Sequence, residues 1–281
     1  MPSFDDIDIL LLNNRPNDNF LGLTPTEVHN LLYDTFDERS ILKFSDDLDD
    51  ETLDQIPLFR IVEEYLKIIN RDQQIKLTPL GALPRKVIIE LYDKRILLDD
   101  HIENGITKLW KEEDCISIRS ARLTAELAGL VRKANGKIAL TKKGVKLLQV
   151  ENRIQLFKVF FQAFTNKFDW GFNDLYPNEP IGQLGWAFSV YMLTKFLTQE
   201  STADFYAEKY MNAFPHFISL FRPSYSSSDR QFSHCYGIRT FGRFLLWFGF
   251  VTVEKQKKYL DLGTDKFKGT DLINQVFTFD D

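Results

Sequence analysis

Cysteine, histidine and methionine are scarce here: two, four and three in 281 residues. Cys115 and Cys235 lie far apart in the chain, which excludes a disulfide-stapled scaffold and fits reduced, partly buried thiols. None of His29, His101, His216 and His234 pairs with another at metal-ligand spacing, and His-Glu-x-x-His is missing. His234 and Cys235 are adjacent, so their side chains diverge on a helix or strand, which argues against a thiol–imidazole pair. A phosphate-cradling glycine loop is missing too. Gly182-Gln183-Leu184-Gly185 is too short and precedes a helix instead of following a strand. The acidic clusters Asp99-Asp100 and Glu112-Glu113-Asp114 are contiguous, whereas catalytic carboxylates need separated, differently buried positions. The sequence thus advertises no catalytic residues, metal or cofactor, and a non-enzyme is the leading expectation; a small-molecule hydrolase or transferase stays open as a third reading, which needs a pocket with two convergent polar groups.

Long hydrophobic runs are also lacking. Phe244 to Val253 is about ten residues, about half a membrane span. The run Ile9 to Leu12 is shorter still, and the acidic start Met1 to Asp8 is unlike a secretory signal. The expectation is a cytoplasmic protein with no membrane partner.

What is present is ordinary globular composition: 44% apolar and 27% charged residues, with a net charge of −5. That excludes collagen and low-complexity disorder. The charge is unevenly spread. Residues 1–60 hold 14 acids and 4 bases, residues 61–150 hold 12 and 17, and residues 151–281 hold 14 of each. Of 39 aromatic side chains, 30 fall after residue 150. This composition step predicts two separately built cores, 1–150 and 151–281.

Helical spacing predicts a mainly α chain. Thr24-Pro25-Thr26-Glu27 has the form of a capping box with proline at the first helical position. Further helices are expected from Pro57 to Ile69, Pro84 to Asp93, Ile106 to Glu113 and Ile118 to Ala128. Later ones are expected near 152–166, 183–198, 202–212 and 230–247, with the polar loop Ser224 to Ser228 capping the last. After Gly129, two short strand-like runs, Leu130 to Lys133 and Lys137 to Leu140, flank Asn135-Gly136, the signature of a tight type I′ hairpin. Thr141 then opens a short helix. The same order returns where Gly249 ends a helix: strand Phe250 to Val253, polar tip Glu254 to Lys258, strand Tyr259 to Leu262, and a closing helix within Thr264 to Val276. A weaker third copy starts at Ile75, where Leu77-Thr78-Pro79-Leu80-Gly81 parallels Leu140-Thr141-Lys142-Lys143-Gly144.

The stretch Gly129-Leu130-Val131, hairpin, Leu140-Thr141-Lys142-Lys143-Gly144 resembles the end of winged-helix domains in bacterial transcription regulators. The resemblance covers roughly thirty residues per copy and implies two winged-helix-like domains with short antiparallel hairpins. The chain is also similar to an uncharacterised bacterial protein family, through Leu23-Thr24-Pro25-Thr26-Glu27, Leu77 to Lys86 and Gly105 to Leu109. That similarity implies no known activity.

A DNA-reading winged helix sets one helix in the major groove and basic wing residues on phosphates. Residues 116–148 carry eight bases against the single acid Glu126. Arg119 and Arg122 are three apart on a helix, and Arg132, Lys133 and Lys137 flank the hairpin tip. Arg239 and Arg243 play the corresponding part in the second copy, where Lys255, Lys257 and Lys258 crowd the tip. These residues make a non-enzymatic DNA-binding or regulatory protein, with double-stranded DNA as partner, the leading expectation. The alternative is a protein–protein interaction module. Phe157, Phe160, Phe161 and Phe164 read as aromatic core, but Trp170, Trp186 and Tyr176 around the loop 169–182 offer an aromatic docking surface for a protein partner.

Overall fold

The computed structural model describes residues 11–174, 176, 180–222, 226–257 and 259–280. Ser224 and Tyr225 of the capping loop, Lys258 of the second tip and the start of the chain to Leu10 lie outside them.

Among the described residues the fold is mainly helical, with three small antiparallel sheets. The first half runs α1 (Pro25–Tyr33), β1 (Leu42–Phe44), α2 (Asp50–Asp54), α3 (Pro57–Asp72), β2 (Ile75–Lys76), α4 (Arg85–Tyr92), α5 (Asp100–Glu103), α6 (Ile116–Leu127), β3 (Val131–Ala134), β4 (Lys137–Leu140) and α7 (Lys142–Leu147). The second half runs α8 (Arg153–Asn166), α9 (Trp186–Lys195), α10 (Ala203–Ala213) and α11 (Ser228–Tyr236). It continues through a π-helical stretch (Gly237–Leu245) to β5 (Val251–Glu254), β6 (Lys266–Gly269), α12 (Leu272–Val276) and β7 (Phe277–Phe279). Among the described residues no helix is long and apolar enough to cross a membrane.

Local chemistry accounts for most boundaries. The Thr24 hydroxyl accepts the Glu27 amide while the Glu27 carboxylate accepts the Thr24 amide, closing the capping box at α1. Pro57 sits in the first turn of α3. That helix is buried over most of its surface, so its one buried acid, Glu63, needs a partner. Arg153, at the start of α8, supplies it at 2.7 Å and also reaches Asp54 at 2.7 Å.

Three expectations change. Ile106 to Glu113 is not a helix. Gly105 turns left-handed (φ 73°), and the Asp114 carboxylate takes the Trp110 and Lys111 amides. Tyr259 to Leu262 is not a strand, and the closing helix begins only at Leu272. The buried Asp265 carboxylate accepts the amides of Gln256 and Asp261, which turns the chain back and delays the second strand to Lys266. Ile75-Lys76 starts no third copy. It pairs with Ile138 and Lys137, as a third strand of the first hairpin's sheet.

Most described aromatic residues of the second half are core. Phe161 is fully buried and meets the rings of Phe157, Trp186, Phe244, Phe248 and Phe277 at centroid distances of 5.0 to 6.1 Å. Phe44, from the first sixty residues, joins the same cluster 5.8 Å from Phe161. β1 and β7, near opposite ends of the chain, pair in register from Leu42↔Phe279 to Phe44↔Phe277. These contacts link residues on either side of position 150. Trp170 and Trp186 are buried, and Trp170 donates its indole N–H to the Phe164 carbonyl. Tyr176 is half-buried against His234. Of the aromatics near that loop, Phe172 is the exposed one.

Candidate nucleic-acid interface

The first hairpin is set by three short-range devices. Gly129, at φ 71°, stops α6. Asn135 and Gly136, at φ 51° and 69°, make the tight reversal between β3 and β4. Thr141 donates its hydroxyl to the Gly129 carbonyl and accepts the Gly144 amide, so one side chain both locks the base of the hairpin and caps α7. Gly144 then lies flat on the Leu130 carbonyl, where an added Cβ would stand 2.0 Å from the oxygen.

The sheet order is β2-β4-β3. Register fixes its faces, because successive residues alternate. Ile75, Ile138 and Val131 point inward and are buried. Lys76, Lys137, Ala134, Ala139 and Arg132 share the outward face. Three cations and two alanines thus occupy it, with no acid. Lys76 stands directly opposite Lys137, a like-charge pairing that costs stability unless an anion is near. None of Lys76, Arg132 and Lys137 takes part in an ion pair among the described residues. Exposed Lys142 and Lys146 on α7 extend the positive surface, and residues 131–146 hold six bases and no acid.

The other residues singled out from the sequence fall elsewhere. Lys133 sits on the inward-facing register at the sheet margin and donates to the Gly81 carbonyl at 3.3 Å. Arg119 is half-buried, its guanidinium 4.5 Å from the Phe172 ring centroid. Arg122 is buried. It bonds Glu112 at 2.5 Å, and Glu112 in turn accepts the Leu83 amide. Arg239 is 1% exposed and forms a two-point pair with Asp174 at 2.8 and 3.0 Å. Arg243 reaches the same carboxylate at 3.8 Å. Arg122 and Arg239 are therefore structural cations, withdrawn from any surface contact. Sequence reasoning passed over Lys76. Its signal was the Ile-Lys pair that β2 brings beside Lys137, visible only once β2 is known to join the hairpin.

The second hairpin differs electrostatically. Glu254 faces Lys266 across it, Lys255 is held by Asp100 at 2.6 Å and Lys257 by Asp261 at 2.6 Å. Two of its cations are thus held in ion pairs, whereas among the described residues Lys76, Arg132 and Lys137 of the first sheet are in none.

The segment carrying this face is the part of the chain that a family model matches. A family model described as the Y4jL N-terminal domain matches residues 54–153. In that span the chain is similar to an uncharacterised family. The match runs from the last residue of α2 to the first of α8, so it takes in α3, β2, α4, α6 and the whole basic sheet. No curated protein and no solved structure matches the chain.

Proposed function

We propose that the Y4jL-like segment is a winged helix and that the chain is a non-enzymatic DNA-binding protein that grips duplex phosphates with the outward face of β2-β4-β3. Support for the winged-helix reading is the order helix, strand, helix, one-turn helix, helix, hairpin (α3, β2, α4, α5, α6, β3, β4), with the first strand added beside the last. The observation that carries the binding reading is the acid-free cationic face of Lys76, Arg132 and Lys137. Such a face collects phosphate by releasing counterions.

The mode of contact follows from burial. In a groove-reading winged helix the helix before the hairpin enters the major groove. Here α6 packs against α3 and α8, and most of its side chains are buried. The contact is therefore with backbone phosphates, positioning the chain without reading bases. The test is fluorescence anisotropy of a labelled duplex titrated with the full chain at several salt concentrations. Log affinity falls linearly with log salt, with a slope of about −3 if each of the three face cations displaces one counterion. The double variant Arg132→Glu, Lys137→Glu loses binding while keeping the circular dichroism spectrum. Absence of binding at low salt overturns the proposal.

A further inference from the structure

Two oppositely charged surfaces meet at the first turn of α8. On one side α7 carries Lys142, Lys143 and Lys146 and no acid. Lys142, Val145 and Lys146 are exposed and, three and four residues apart, share one face of that helix. On the other side residues 46–54, leading into and through α2, hold six acids and no base, and all six acids are exposed. Hydrogen bonds tie both sides to the start of α8. Asn152 donates its side-chain amide to the Lys146 carbonyl at 3.0 Å. Arg153 donates to the Asp50 carbonyl at 3.0 Å and to the Asp54 carboxylate at 2.7 Å. One guanidinium does not balance six carboxylates, and the Asp50 and Asp54 side chains stay 61% and 66% exposed beside it. Lys142, Lys146, Asp47 and Glu51 enter no ion pair among the described residues.

Apolar side chains lie along the same junction. Val145 on α7, Val150 in the turn before α8 and Ile154 in its first turn are all exposed, Val150 to 79%. Gln149 folds back to donate to the Val145 carbonyl at 3.1 Å, which keeps that turn tight. A nucleic acid on this face would be repelled by residues 46–54. A second copy of the chain would not. A two-fold axis sets one patch against itself, so a surface that carries both signs satisfies both halves of the contact. Lys142 and Lys146 of each copy then meet residues 46–54 of the other, with the exposed aliphatic side chains excluding water between them.

We infer that this face pairs two copies of the chain in an isologous dimer. The inference does not depend on the phosphate contact. Lys142 and Lys146 turn toward the second copy, and Lys76, Arg132 and Lys137 are left for phosphate. The test is sedimentation equilibrium of the full chain, without nucleic acid, at about 50 mM and about 500 mM salt. The expected result is a reversible dimer whose dissociation constant rises at least about tenfold with the salt. Lys142→Glu, Lys146→Glu makes both sides of the patch acidic, and Asp47→Lys, Glu51→Lys makes the acidic side basic. Each variant is expected to be monomeric alone, and an equimolar mixture to form a heterodimer, because each side then meets its opposite. All four positions are exposed, so both variants keep the parent circular dichroism spectrum. A parent chain that stays monomeric at about 100 μM in low salt leaves the face to a different protein and overturns the assignment. So do charge variants that dimerise as the parent does, or that fail to pair when mixed.

Discussion

Lys76 and Lys137 face one another across β2 and β4, paired residue to residue on the outward side of the sheet. A like-charge pair directly opposite is a local cost in the free protein, and a surface used only for stability has no reason to hold one. Lys137→Glu places a carboxylate opposite Lys76. It is expected to raise stability by up to about 1 kcal/mol in urea denaturation while weakening duplex binding. A variant that gains stability and loses binding assigns Lys137 to the contact itself. A variant that keeps duplex binding removes Lys137 from it.

Gly144 has a different obligation. Its conformation is helical, so backbone freedom is not the issue; the Leu130 carbonyl oxygen occupies the place of a side chain. Gly144→Ala forces α7 away from the hairpin base and breaks the geometry in which Thr141 bonds Gly129. The expected loss is about 1–3 kcal/mol, read as a lower urea midpoint. An unchanged midpoint would mean that α7 moves freely, contrary to the close approach seen.

This pair of examples marks how far the sequence could be read. Leu140-Thr141-x-x-Gly144 and Leu77-Thr78-x-x-Gly81 look alike, yet their glycines serve different physics. Gly144 yields space to a carbonyl, whereas Gly81 takes a left-handed turn at φ 78°. Short-range chemistry was legible: the capping box at Thr24, the Asn135-Gly136 reversal and the helix stop at Gly129 all need only neighbours in sequence. Long-range pairing was not. Nothing local says that β2 joins β4, that β1 meets β7, or that Asp265 captures two amides and displaces a strand. For the same reason Arg122 and Arg239 read as surface cations. Their partners Glu112 and Asp174 lie 10 and 65 positions away.

Arg122 is expected to behave as a structural residue. Arg122→Leu leaves the Glu112 carboxylate buried with its principal partner gone, and loss of one member of a buried pair costs about 3–5 kcal/mol. The salt slope of duplex binding by the folded fraction stays unchanged, because no phosphate-facing charge has been removed. A variant with normal stability and a reduced slope would place Arg122 at the contact instead.

Cys235 supplies a prediction in pH. Its thiol is buried, and burial pushes its pKa from 9.0 up to about 12. Below pH 9 the folded and unfolded chains both keep the proton, and the group contributes no pH dependence. Between pH 9 and 12 the unfolded chain releases the proton while the folded chain retains it. Folding stability therefore declines as pH rises through that window, by up to about 1.4 kcal/mol per pH unit. Cys115 is shifted upward as well, again by burial, so the comparison that isolates Cys235 is the parent chain against Cys235→Ala. The variant starts lower at pH 8, because it opens a cavity, and then declines less steeply above pH 9, the contribution of the buried tyrosines being common to both chains. Iodoacetamide gives the independent readout. The folded chain resists alkylation at Cys235 at pH 8 and reacts once urea opens the core, whereas rapid alkylation of the native protein would show a thiol far more accessible than its packing allows.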